Sequence, residues 1–176
     1  MSIQTKPPTE LISANQLQNK VDELSQTIAQ DINDNWMIVA LLRGSFIFAA
    51  DLVRALHQRG CNPLIDFMAV SSYGKGTEGK QVKISHDLKV DVRGRNILIV
   101  DDIYDSGKTL QAITQLLTKQ GAKSIKTAVL LEKIGRDTVG LKVDYVGFKI
   151  SNQFVVGYGL DHAGHYRTLP YIGVIS

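Results

Sequence analysis

The chain has 176 residues, 44% of them hydrophobic and 21% charged, which suits one sizeable soluble core, leaves too little for two, and predicts a single domain over 1–176. A formal charge of +3 leans towards anionic ligands without the dense basic stripe of a nucleic-acid binder, so small phosphorylated partners are expected and nucleic acid is not. No run approaches the roughly 18 to 20 apolar residues of a membrane span, and "MSIQTKPPTE" lacks the basic-then-apolar pattern of a signal peptide, which predicts no membrane partner and a cytoplasmic protein.

Ser13 with Gln16 three residues on reads as a capping box, and Leu17, Val21, Leu24, Ile28 and Ile32 follow at helical spacing. "WMIVALL" (36–42) is a short apolar run. After "RGS", Phe46, Ala49, Ala50, Val53 and Leu56 recur at three-and-four spacing until Gly60, so strand, tight loop and helix are expected. The single cysteine, Cys61, excludes an internal disulfide or a zinc knuckle and reads as a buried, idle thiol. "PLIDFMAVSSY" (63–73) alternates as a strand does, and "GKGTEG" (74–79) has no apolar side chain to anchor it, so a mobile loop is expected near 72–80. "NILIV" (96–100) is a second buried strand; Leu110, Ile113, Leu116 and Leu117 mark a helix that Gly121 ends; "TAVLL" (127–131) is a third strand.

Apolar strands alternating with amphipathic helices predict an α/β fold, a mostly parallel sheet whose ligands lie beyond the carboxyl ends of its strands. Beyond residue 140, "DYVGF" and "FVVGY" are short and close together, and are expected to cap the sheet as late strands. Glycines in "GYGLDHAGHYR" suggest a bent loop. His162 and His165 there read as solvent-facing loop residues rather than metal ligands.

The segment "IVDDIYDSGKTL" (99–110) carries the chemistry. Asp101 and Asp102 are expected at the carboxyl end of a central strand, with Ser106, Gly107, Lys108 and Thr109 forming the first helical turn, whose amides make a phosphate site. Asp105 or Ser106 as a simple helix N-cap explains the same positions. A Walker A loop is excluded because its first glycine falls on Asp102. Ionised carboxylates only accept hydrogen bonds, so two of them beside a phosphate cradle suit ribose hydroxyls or the shell of a magnesium ion. The expected ligand is a 5-phosphorylated ribose.

"VDDIYDSGKTL" resembles the phosphoribosyl pyrophosphate motif of the type I phosphoribosyltransferases, in its hypoxanthine-guanine version. "LLRGSFIFAADL", "DFMAVSSYG", "LLEK", "DYVGFKISNQFVVGYGLD" and "YRTLPYIGVIS" resemble further segments of that branch in its order. The resemblance implies a Rossmann-like sheet flanked by helices with a small hood formed by terminal segments. It also implies transfer of phosphoribose to hypoxanthine, with guanine as a second base, a magnesium cofactor, and a homodimer or homotetramer. One departure is visible: the family more often has Glu where Asp101 stands, so its hold on the sugar is expected to be looser or water-mediated.

Residue by residue, the resemblance implies that Asp105 faces the base and exchanges a proton with it. Lys133 donates to the 6-oxo group, Phe154 stacks on the base, and Val155 contacts its edge through backbone. Arg43 and Gly44 bind pyrophosphate, often after a cis peptide, and Arg167 is a further pyrophosphate ligand. Asp161 joins Asp101 and Asp102 as a magnesium-associated acid, and Ser72 and Tyr73 belong to the closing loop. Without the resemblance, Lys133, Asp161 and Arg167 are ordinary surface charges, and Phe154 and Val155 ordinary strand residues. A xanthine-guanine enzyme, a nucleic-acid-binding regulator on the same fold and a noncatalytic phosphate-binding module are the alternatives.

Overall fold

The computed structural model describes residues 7–73 and 81–175, apart from the side chains of 71–73, 81 and 82. The expected loop at 74–79 therefore lies outside the described residues, as do the side chains of Ser72 and Tyr73.

Six strands form the main sheet: β2 (Trp36–Leu42), β3 (Leu64–Tyr73), β4 (Gln81–His86), β5 (Asn96–Tyr104), β6 (Ser124–Lys133) and β7 (Tyr145–Ile150). Their order is β4-β3-β2-β5-β6-β7, and only the edge strand β4 runs antiparallel. Alternation along the central strands divides the core. Ile38, Ala40, Leu98, Val100, Ala128 and Leu130 face α1 (Ala14–Asp31) and α2 (Phe46–Gln58). Met37, Val39, Leu41, Ile97, Ile99 and Val129 face α3 (Lys108–Lys119). Burying both faces is why these strands read as unbroken apolar runs.

The expected capping box closes α1: the Gln16 amide donates to Ser13 Oγ at 3.3 Å, and the Ser13 amide donates back to Gln16 Oε1 at 2.9 Å. A second, antiparallel sheet joins β1 (Thr9–Ile12), β9 (Ile172–Val174) and β8 (Val155–Val156), so both ends of the chain build the hood. Cys61 is buried, its thiol directed at the Ile32 carbonyl. Among the described residues no helix is long and apolar enough to cross a membrane.

Four sequence expectations change. β4 is an addition: Val82 and Ile84 alternate in a segment too short and polar to stand out as a strand, although Ile84 packs against the core on the α3 side. "DYVGF" does not cap the sheet: it is β7, which extends it in parallel beyond β6. β5 runs on through Tyr104, four residues beyond the expected "NILIV", and Asp101 and Asp102 stand in its carboxyl-terminal half, as expected. α3 starts at Lys108, not Ser106, because Gly107 takes a left-handed φ of 78° that no helix continues through. Gly107 is also the N-cap residue, so Asp105 and Ser106 are not spent on capping.

Candidate active site

The chain passes from β2 outward to β3 on one side and later to β5 on the other, which opens a crevice at the carboxyl ends of β2 and β5. A cavity of about 290 Å³ occupies it, bounded by the turn after β2 (Arg43 and Gly44), by Asp101, Asp102 and Asp105, and by Ser106, Gly107 and Thr109 at the head of α3. The Leu42–Arg43 peptide is cis.

The two acids are not equivalent. Asp101 is only 8% exposed, and its Oδ1 accepts the Asp102 amide at 3.0 Å. Asp102 is half-buried, its Oδ1 accepting the Ile103 amide at 2.9 Å. Burial, then the adjacent Asp102 charge, raises the Asp101 carboxyl well above the usual carboxylate range. Burial also raises Asp102, against the pull of its hydrogen bonds and of the Arg167 charge. A cation beside such a pair would offset the repulsion and favour its second negative charge.

Gly44 makes the packing possible. A Cβ there would sit 1.6 Å from Asp102 Oδ2, so only glycine lets the turn lie against that carboxylate. On the other side, a Cβ on Gly159 would meet the Gly44 carbonyl at 2.1 Å, which shows how tightly the bent loop of the hood presses on the same turn. That loop carries Arg167, whose guanidinium donates to the Gly159 carbonyl at 2.6 Å and pairs with Asp161 at 2.7 Å. The other Asp161 oxygen accepts the Gly164 amide.

At the far end of the crevice, Asp105 Oδ2 faces Lys133 Nζ at 3.5 Å, and Asp105 Oδ1 accepts from Arg136 Nε at 3.0 Å. The Lys133 side chain is 12% exposed, so it is not the loose surface lysine that its place after a strand suggests. Tyr104 also borders the cavity, and its hydroxyl proton is shared between Asp137 and the Leu141 carbonyl; burial, aided by Asp137, pushes its phenol far above the ordinary value and keeps it a donor. Phe154 is half exposed at the hood's edge with the His162 ring against it at 5.3 Å, edge to face. Val155 is buried in β8.

The sequence-derived residues thus divide. Arg43, Gly44, Asp101, Asp102, Asp105, Ser106, Gly107 and Thr109 share one cavity wall, with Lys133 in contact through Asp105 and Arg167 close enough to act on Asp102. Lys108 opens α3 without lining the cavity, Asp161 is engaged with Arg167, and Phe154 and Val155 lie in the hood. Arg136, Tyr104 and His162 are additions. Only the spacing of Arg136, three residues beyond Lys133, hints at its place.

Among the described residues no three His, Cys, Asp or Glu side chains gather as a metal cage. Magnesium does not require one, since it keeps several waters and takes one or two carboxylates together with substrate phosphate oxygens. Two adjacent acids whose shared charge calls for a cation fit that demand.

Acids that suit a sugar, a helix terminus that suits a phosphate and a basic loop opposite define a site for phosphorylated pentose chemistry. A phosphoribosyl transferase domain model matches residues 10–163, and the chain belongs to the phosphoribosyltransferase family. Its relatives narrow the class. A protein of Dictyostelium discoideum named hypoxanthine-guanine phosphoribosyltransferase is 42% identical over 169 residues, covering 94% of each chain. One of the same name from Bacillus subtilis is 44% identical over 168 residues, covering 94% of this chain and 92% of that one. A crystal structure of a hypoxanthine-guanine phosphoribosyltransferase from Bacillus anthracis matches with a TM-score of 0.90 at 42% identity, covering 97% of this chain and 100% of that one.

Proposed function

We propose that this chain is a single-domain purine salvage enzyme that moves the 5-phosphoribosyl group from phosphoribosyl pyrophosphate to hypoxanthine and guanine, giving IMP or GMP and pyrophosphate. The observation that carries this reading is the meeting of Asp101, Asp102, Asp105 and the head of α3 in one cavity, with Lys133 against Asp105.

In this account the 5-phosphate rests on the amides of 106–109, where the α3 dipole favours negative charge. The ribose hydroxyls donate to Asp102 and, behind it, Asp101. As the C1′–oxygen bond to pyrophosphate breaks and the purine nitrogen bonds to C1′, positive charge develops on the ribose; carboxylates beside it stabilise the transition state more than the ground state. Arg43, the Gly44 turn and Arg167 take the departing pyrophosphate, for which a guanidinium fork is well shaped. Asp105 accepts the proton released from the other ring nitrogen of the base.

Lys133 donates to the 6-oxo oxygen. An ammonium has no acceptor to offer a 6-amino group, so adenine leaves it mispaired and is a poor substrate. Phe154 covers the base, Val155 meets its edge, and Ser72 and Tyr73 belong to the segment that shuts out water. Magnesium would be held by Asp102 and Asp101, with Asp161 as the third associated acid, and would supply charge neutralisation at the pyrophosphate group. Assembly into a homodimer or homotetramer is supported by Ile65 and Phe67, which alternate onto one face of β3 and are each 38% exposed.

The test is pyrophosphate release from phosphoribosyl pyrophosphate with hypoxanthine, guanine, xanthine or adenine, with and without magnesium. Magnesium-dependent release with hypoxanthine and guanine, and little with adenine, is expected. No release with any purine, alongside salt-dependent binding of RNA, would make the chain a regulator instead.

A further inference from the structure

The loop that leaves β6 is fastened along its length to the segment carrying Asp105. The Tyr104 hydroxyl shares its proton between Asp137 Oδ1 at 2.7 Å and the Leu141 carbonyl at 3.0 Å. Thr138 donates twice to the Ser106 carbonyl, through its hydroxyl at 3.0 Å and its amide at 3.2 Å. A Cβ on Gly107 would meet a Val139 methyl at 2.6 Å. Within this strap Arg136 Nε donates to Asp105 Oδ1 at 3.0 Å, whereas Lys133 stands 3.5 Å from Oδ2. One oxygen is therefore gripped by a directed bond and the other only loosely approached.

We propose that Arg136 is a positioning residue for the transfer reaction. It fixes the rotation of the Asp105 carboxylate, so that the second oxygen stays presented to the incoming purine while Lys133 is free to leave for the 6-oxo group. The strap brings Arg136 to this position; its own side chain, 45% exposed, makes an ion pair of the kind that contributes little to folding. The inference rests on the reading of Asp105 as the base-facing carboxylate.

Steady-state kinetics of the full chain with hypoxanthine and phosphoribosyl pyrophosphate test it in Arg136→Ala, Arg136→Lys, Asp105→Asn and the Arg136→Ala/Asp105→Asn double variant. Proton transfer by a well-placed group supplies roughly a hundredfold or more, and loss of its orientation alone is expected to lower kcat about tenfold. Both KM values should stay within about twofold, Arg136→Lys should recover most of the rate, thermal stability should hold, and Arg136→Ala should add nothing once Asp105 is Asn. An unchanged kcat in Arg136→Ala beside a large loss in Asp105→Asn overturns this inference alone. So does a rise in the KM of the purine with kcat intact, or an equal Arg136→Ala effect in both backgrounds. Wild-type turnover in Asp105→Asn overturns it together with the assignment of Asp105.

Discussion

Asp101→Asn separates the cost of the acid pair to folding from its use to the site. Asp101 is 8% exposed and lies beside a second carboxylate, and burial raises its pKa in the folded protein. An acid whose folded pKa exceeds its unfolded value of about 3.9 contributes its stability below that value and loses it as pH rises through the folded pKa. Above that point the native state carries a buried charge that the unfolded chain hydrates freely. Asparagine keeps the Oδ1 that accepts the Asp102 amide at 3.0 Å, and its amide group donates to the Asp102 carboxylate, so no bond is lost and a repulsion is removed. Relief of such a buried charge contributes about 1–3 kcal/mol. For a chain of this size that is a Tm increase of roughly 3–8 °C. Thermal unfolding in chelator at pH 8 and again near pH 4 reads it: the variant should gain at pH 8 and converge with the parent near pH 4, while its affinity for phosphoribosyl pyrophosphate falls. A Tm at pH 8 equal to or below that of the parent would refute the electrostatic argument.

Gly44→Ala places a methyl 1.6 Å from Asp102 Oδ2 and 2.6 Å from its Cγ, so the carboxylate must vacate its place. The expected result is a fall in stability of about 1–3 kcal/mol and at least tenfold weaker phosphoribosyl pyrophosphate binding by calorimetry. Lys133→Ala should reduce the preference for hypoxanthine over adenine by about 10- to 100-fold in kcat/KM, since a charge-assisted bond is worth about 1.5–3 kcal/mol; unchanged selectivity removes Lys133 from the base contact. Tyr104→Phe deletes the hydroxyl that holds Asp137 and the Leu141 carbonyl, and chemical denaturation should show a loss of about 1–2 kcal/mol. An equally stable Phe variant would mean that the strap is held elsewhere.

The elements that bury both faces were legible because their hydrophobicity is continuous. "WMIVALL" is β2 from first residue to last, "NILIV" is the first half of β5, and "TAVLL" is the apolar centre of β6. The Ser13–Gln16 box was legible because a local hydrogen-bond pattern has a local sequence. β4 was not, since pairing with β3 through backbone leaves little trace in side chains. The start of α3 was misplaced by two residues because the left-handed φ of Gly107 is a property of its packing against Tyr104 and Val139, which lie in different elements.

Within the site, the types of residue were readable but their relations were not. Nothing in "DD" reveals that Asp101 is buried behind Asp102 while Gly44 presses on the latter. The role of Arg136 was no more than hinted at by its spacing from Lys133, for a related reason: it depends on a loop 31 residues away being drawn onto Asp105. Such contacts between distant segments leave no periodic trace in the chain.

The most direct test is a crystal structure of the chain with IMP bound. The account predicts the 5′-phosphate on residues 106–109, the ribose hydroxyls at Asp102, and the 6-oxo group within hydrogen-bonding distance of Lys133. A nucleotide seated away from the crevice between β2 and β5, or reversed with its base on the α3 turn, would contradict it.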